Sequence, residues 1–309
     1  MSHDIESADL SLKRQQYEGE TQVARSYGQK VSSGLNAHNY IVKSVPLYSA
    51  DGKPANAWGN QRVDNGIIIG VTSDRYGIVQ NADFTNAIEQ GMQSLGLQFS
   101  NRESVVTRWG ARSHIEYEFN TRTAQPAKGD TVALRIIARN SFDGTSKSSI
   151  SVGAVRLVCT NGMTSFKQDL SMSVRHTTNV SPQFVSRVLE QAMDEWSELN
   201  SVWAGMSRVS ISQQQGFTII ENLTKRGIYA ERFAKSVTDV WTRPSYREDE
   251  SRNIWNLLNA HTQVLTHNYG VQKYEMTQRT GHNIMTSLRG ALLNESEFVS
   301  LVTPEGKHN

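Results

Sequence analysis

The chain is expected to fold as an α+β protein, an antiparallel β-meander with packed helices followed by a mostly helical C-terminal third. Three observations predict this. Between about residues 40 and 176, short β-branched runs recur between turn-forming pairs such as Asp51-Gly52, Asp143-Gly144 and Asn161-Gly162. Residues 84–95 and most of the chain after Pro182 instead space their apolar residues three and four apart, the helical period. Finally, 309 residues suffice for the core of one large domain or two moderate ones.

In order, residues 1–35 read as a polar N-terminal arm, 36–200 as the α+β core with its meander, and 201–309 as a mostly helical region. The β pattern opens with YIVKSVPLY and a turn at Asp51–Pro54. The runs GIIIGV and YGIVQ, separated by Thr72–Arg75, then read as a hairpin. A helix follows, with Phe84, Ala87, Ile88, Gly91, Met92 and Leu95 on one face, Asn81 as its cap and Gly96 as its stop.

The meander is read as four strands. In HIEYEF, Ile115, Tyr117 and Phe119 alternate with His114, Glu116 and Glu118. In TVALRIIAR, Val132, Leu134 and Ile136 oppose Arg135 and Arg139. Past the Asp143-Gly144 turn, the return strand places Val155, Leu157 and Cys159 opposite Arg156. The run FKQDLSMSVRH places Phe166, Leu170, Met172 and Val174 opposite Lys167 and Arg175. Period-two alternation makes one face of this sheet apolar and offers the cations on the other. Cys159, in phase with the apolar set, reads as a small packing group. Helices are then expected from Ser181-Pro182, with Val185, Val188, Leu189, Ala192, Trp196 and Leu199 inward. IYAERFAKSVTDVW, a segment opened by Glu248-Asp249-Glu250, and NIMTSLRGALL supply the rest.

Composition excludes several classes. A single cysteine cannot form an internal disulfide or a multi-cysteine zinc module, which points to a reducing compartment. No apolar window approaches the roughly 18 residues of a membrane span, and the N-terminus lacks a secretory h-region. P-loop, Rossmann glycine and nucleophile-elbow motifs are absent. His261 and His267, six apart on a helix, face different ways and read as structural rather than metal-binding. The acidic run at 248–250 reads as the dipole-favoured start of a helix. No cofactor or metal is expected.

What remains is charge. Residues 101–187 hold 12 Lys and Arg against 6 Asp and Glu, inside a chain whose net charge is only +2. Such clustering favours a polyanionic partner, although a solvated arginine-rich sheet face reads the same way. The candidate nucleic-acid contacts are Arg108, Arg112, Arg135, Arg139, Lys147, Arg156, Lys167 and Arg175, with Trp109 either a stacking platform or a core residue.

The segments VTSDRYGIVQN (71–81), the Asp143-Gly144 hairpin and above all VRLVCTNGM (155–163) resemble the phage/plasmid-like protein family, domain of unknown function 932, over roughly residues 40–180. That resemblance implies a mobile element, a bacterial cytoplasm and DNA handling, and it transfers no catalytic residues. The order of a basic meander followed by a helix is also similar to single-strand annealing proteins. The reading is therefore a non-enzymatic protein that binds and anneals single-stranded DNA as a homo-oligomeric ring or filament. Two alternatives are an inhibitor of a host defence nuclease, and an enzyme whose site draws on His176, Cys159 and distant carboxylates.

Overall fold

The computed structural model describes residues 24–26, 29–157, 162–164, 182–268 and 274–304. Strands β1 (Ala24–Ser26), β2 (Gln29–Ser33), β6 (Asn101–Thr107), β7 (Arg112–Ala127), β8 (Asp130–Ser141), β9 (Ser149–Arg156) and β10 (Gly162–Thr164) form one sheet in the order β1-β2-β6-β7-β8-β9-β10. A second sheet, β3-β4-β5, joins Val42–Tyr48, Pro54–Arg62 and Ile68–Thr72. The described helices are α1 (Asn81–Ser94), α2 (Pro182–Arg208), α3 (Gln213–Lys225), α4 (Glu231–Thr242), α5 (Ile254–Asn268), α6 (Tyr274–Leu293) and α7 (Glu295–Val302). The protein is thus α+β, with two antiparallel sheets and a helical C-terminal part. Among the described residues, no helix is long and apolar enough to cross a membrane.

The chain divides into two compact units. One takes in Met1–Tyr117, Ile137–Ser151 and Gln168–Gln191; the other takes in Glu118–Ile136, Val152–Lys167 and Ala192–Asn309. Strands β7, β8 and β9 and helix α2 contribute residues to both.

In the first unit, α1 buries Phe84, Ala87, Ile88, Gly91 and Met92, the face its periodicity predicts. Its cap is Gln80, not Asn81. Asn81 is buried instead: its Nδ2 donates to the His38 carbonyl (3.0 Å), and its Oδ1 accepts from Ser113 Oγ (2.8 Å) and Asn140 Nδ2 (2.9 Å). The expected hairpin of GIIIGV (66–71) and YGIVQ (76–80) does not form. β5 pairs with β4, and residues 76–80 run to the helix without strand structure. Gln80 takes a strand's place: Val42 N–H donates to its Oε1 (3.1 Å) and its Nε2 donates to the Val42 carbonyl (2.7 Å). Along β7, His114 and Glu116 are buried together with Ile115 and Tyr117, so the charged face expected in solvent is covered.

In the second unit the ladder is likewise buried on both faces, with Val132, Ala133, Leu134 and Ile136 of β8 and Val152, Ala154 and Val155 of β9 inaccessible or nearly so. Leu157, expected beside Val155, is exposed where β9 ends. Of the expected Asn161-Gly162 turn, Asn161 lies outside the described residues, and Gly162 opens a strand, Gly162–Thr164, that pairs with β9 as β10. Cys159, the 166–176 run and the Ser181 cap lie outside the described residues. Trp203 packs between Trp196 (ring centroids 5.7 Å apart) and Trp255 (5.9 Å). His261 is a core residue, its Nδ1 2.7 Å from the Leu257 carbonyl and its Nε2 2.9 Å from the Tyr229 hydroxyl.

Two predictions follow from this packing. A Cβ on Gly70 would stand 2.3 Å from the Phe142 carbonyl oxygen and 2.7 Å from Asp143 Cα, and backbone atoms cannot swing aside. Gly70→Ala is expected to lower stability by about 1–3 kcal/mol in chemical denaturation; an unchanged midpoint would show that the approach is looser. Burial pushes His261 from 6.5 down to about 4. The unfolded chain therefore takes up that proton first, and stability present above pH 6.5 is lost as pH falls toward 4. His38, pushed down to about 4 by burial with the Arg102 charge adding, contributes separately. His261→Gln should make the denaturation midpoint less pH-dependent across that window, by on the order of 3 kcal/mol; an unaltered slope refutes the assignment.

Candidate nucleic-acid interface

Three loops of the first unit converge at the ends of their strands. The tightest is the corner between β6 and β7. Arg108, Trp109 and Gly110 all have positive φ, at 53°, 63° and 103°. For the two non-glycine residues, left-handed backbone costs about 1–3 kcal/mol each, so the fold has to hold it. Tyr40 and Arg62 do so. The Tyr40 hydroxyl donates to the Gly110 carbonyl (2.6 Å), and Arg62 Nη1 donates to the Trp109 carbonyl (3.1 Å). Arg62 is itself fixed, lying 4.0 Å over the Tyr40 ring and pairing with both Asp64 oxygens at 3.0 and 2.6 Å. The result turns Trp109 outward, 37% exposed, against the core position that the sequence reading favoured.

The second loop is the β8–β9 tip. Asp143 Oδ1 accepts from Ser141 Oγ (2.7 Å), the Thr145 N–H (3.0 Å) and the Thr145 hydroxyl. Its Oδ2 faces Arg112 Nε at 3.3 Å and Arg108 Nη1 at 3.7 Å. Arg112 Nη2 also donates to Thr145 Oγ1 (2.6 Å). Burial disfavours the Asp143 charge, but the Ser141 and Thr145 hydrogen bonds and the Arg112 charge outweigh it and hold the carboxyl below its ordinary range.

The third loop, 72–76, lies against that tip. Gly144, at φ +71°, leaves room for Thr72 and Tyr76, and the Tyr76 hydroxyl donates to the Ser141 carbonyl (2.9 Å). Exposed Arg75 sits on this loop and exposed Lys147 follows the tip. The convergent set therefore holds Arg62, Arg75, Arg108, Arg112 and Lys147 against Asp64, Asp74 and Asp143, a modest cationic excess around an outward tryptophan.

Of the residues expected to contact nucleic acid, Arg108, Arg112 and Lys147 come together here. Arg139, half-buried on β8 in the same unit, donates to Ser151 Oγ at 3.3 Å. Arg135 belongs to the other unit and pairs with Glu118 at 2.7 Å, its side chain 14% exposed. Lys167 and Arg175 lie outside the described residues. Arg62 and Arg75 carried no periodic signal and were not anticipated.

Arg156 requires a correction. Expected on an open sheet face, its side chain is 0% exposed. Its Nε and Nη2 grip the two oxygens of Asp130 at 2.6 and 2.7 Å, and its Nη1 donates to Asp249 at 2.9 Å. Trp255 Nε1 adds a bond to Asp130 (2.6 Å). A guanidinium buried on both edges cannot reach a phosphate, and this one holds the second unit together. The acidic run is corrected with it: Arg247–Asp249 is a single 3-10 turn ahead of α5, and Asp249 points into the core.

With one cation between two carboxylates, Asp249 is the less compensated. Burial raises its carboxyl above the usual range, with the single Arg156 bond and charge only partly opposing. Asp130→Asn is expected to cost about 3–5 kcal/mol, as when any buried pair is broken. Asp249→Asn should cost clearly less at neutral pH, because it removes a charge that burial disfavours. Urea midpoints at pH 7 decide this, and equal losses would mean that the two carboxylates share Arg156 evenly.

The fold and this site describe an α+β protein with a cation-rimmed, outward tryptophan. A family model described as Domain of unknown function (DUF932) matches residues 68–287, reaching from β5 through most of the helical region. The chain belongs to that family. The match runs well beyond the residue-180 limit of the resemblance seen in the sequence. No curated protein and no solved structure matches the chain.

Proposed function

We propose that the protein binds single-stranded DNA through the Arg108–Arg112 corner and the two loops beside it. The observation that carries this is Trp109, which with Arg108 takes a strained left-handed backbone, is held outward by Tyr40 and Arg62, and is flanked by arginines. Strain of that kind persists where the surrounding structure enforces it, and a ligand contact is what gives it a use. A base stacks on the indole regardless of its identity, while Arg108, Arg112, Arg75 and Lys147 meet the phosphates on either side. The base edges then stay available to a second strand, which is what annealing requires.

Annealing or recombination on a mobile element, self-assembly into a ring or filament, and a cytoplasmic setting belong to the same proposal. They draw their support from the resemblance to phage and plasmid proteins. The binding itself needs no cofactor.

Anisotropy of a labelled oligothymidylate measures the effect. Trp109→Ala should lose about 1–3 kcal/mol of affinity, the worth of one stacked base. Arg108→Ala with Arg112→Ala should reduce the salt slope by about 1–2. Equal affinity in both variants rejects the site, and no binding by the wild-type chain rejects the function.

A further inference from the structure

We propose that Arg108, Arg112 and Thr145 form an oxyanion site for a backbone phosphodiester, and that the Asp143 carboxylate occupies it as an internal competitor. This rests on the nucleic-acid reading and adds what restrains the site.

Asp143 first serves its own turn. Its Oδ1 accepts from Ser141 Oγ and from the backbone and hydroxyl of Thr145, which fixes the tip of the β8–β9 hairpin. Asparagine accepts the same bonds in such turns. The turn therefore does not call for a negative charge. That charge acts on Oδ2, which faces Arg112 Nε at 3.3 Å and Arg108 Nη1 at 3.7 Å. A single carboxylate oxygen and a single phosphate oxygen meet a guanidinium in the same way, so Asp143 Oδ2 stands in the position of a phosphate oxygen between the two arginines.

Other features support exchange. Arg108 is 41% exposed, so solvent and ligand reach the cation from outside. Thr145 ties the two partners together, since its hydroxyl donates to Asp143 and accepts from Arg112. Gly144 leaves the tip without a side chain beside the carboxylate. Asp143 stays ionised throughout the neutral range, because its hydrogen bonds and the Arg112 charge outweigh its burial. The restraint is therefore constant and is lifted only by a stronger anion.

A merely structural ion pair and an internal competitor predict opposite signs. If Asp143 only positions Arg112, removing its charge weakens polyanion binding. If it competes, binding tightens. The test uses the full chain as wild type, Asp143→Asn and Asp143→Ser, with thermal denaturation to confirm that each is folded. Anisotropy with oligothymidylate should show about five-fold or tighter binding for both variants, the scale of one unit charge at about 4 Å in water, together with a steeper salt dependence. Equal or weaker binding overturns the proposal while leaving the nucleic-acid reading intact. Salt elution from immobilised heparin, a polyanion without bases, separates the two ideas. Later elution of the variants without any oligonucleotide binding keeps the anion site and rejects the nucleic-acid reading. Unchanged or earlier elution rejects the site.

Discussion

The core of the central ladder is buried on both faces, and this constraint governs where several described cations of the basic region end up. An ionised side chain in such a ladder has no water to face, so it is excluded or supplied with a partner. Arg156 is supplied with two carboxylates and an indole-braced pair. Arg135 is supplied with Glu118, and Arg139 with the Ser151 hydroxyl. Where the strands end, burial ends too, and there Arg108, Arg75 and Lys147 meet solvent. Two populations thus stand out among the described cations of the basic region and the loop beside it. One neutralises carboxylates inside the fold, and the other remains on loops at the rim.

The rim is rigid because the first unit holds it from several directions. Tyr40 and Arg62 reach the β6–β7 corner from the region of the small sheet, and Asn60 Nδ2 donates to the Phe142 carbonyl (2.6 Å) below the hairpin tip. Gly70 lets the backbone of β5 approach that tip where any side chain would collide. Preorganisation of this sort would lower the ordering cost of the proposed binding, since the aromatic and its flanking arginines are held by these contacts already. It also explains why a left-handed Trp109 is sustained: each carbonyl that the corner turns inward meets a donor.

Much of this fold was legible in the sequence, and the failures share one cause. The α1 stripe, the apolar set Val132-Leu134-Ile136 and the stripe of α2 are local periodicities, and the structure reproduces them. Alternation, however, reports one covered face and says nothing of the other. His114, Glu116 and Arg156 looked solvent-facing because charge marks surface in a one-sided sheet. The partner that makes burial of Arg156 tolerable lies 93 residues away at Asp249, inside a run that reads equally well as a helix start. Gln80 as a substitute strand, and β4 with its polar PANAWGNQR, carry no periodic mark at all. The corner was visible only as Arg-Trp-Gly-Ala-Arg, and its outward direction depends on Tyr40 and Arg62, far off in the chain.

The same pairing chemistry serves different ends at Asp130 and at Asp143, and accessibility is what separates them. Arg156 and Asp130 are sealed, at 0% and 1% exposure, so no outside anion can compete and their attraction acts on folding alone. Arg112 and Asp143 keep 18% and 11%, and Arg108 beside them keeps more. Water screens such a pair, and its worth is correspondingly smaller. A weak, reachable ion pair is a poor source of stability but a responsive one, since an outside anion can displace it at little cost to the fold. Burial therefore divides the arginines of one basic region into fixed structural cations and exchangeable ones, a distinction that net charge per segment cannot express.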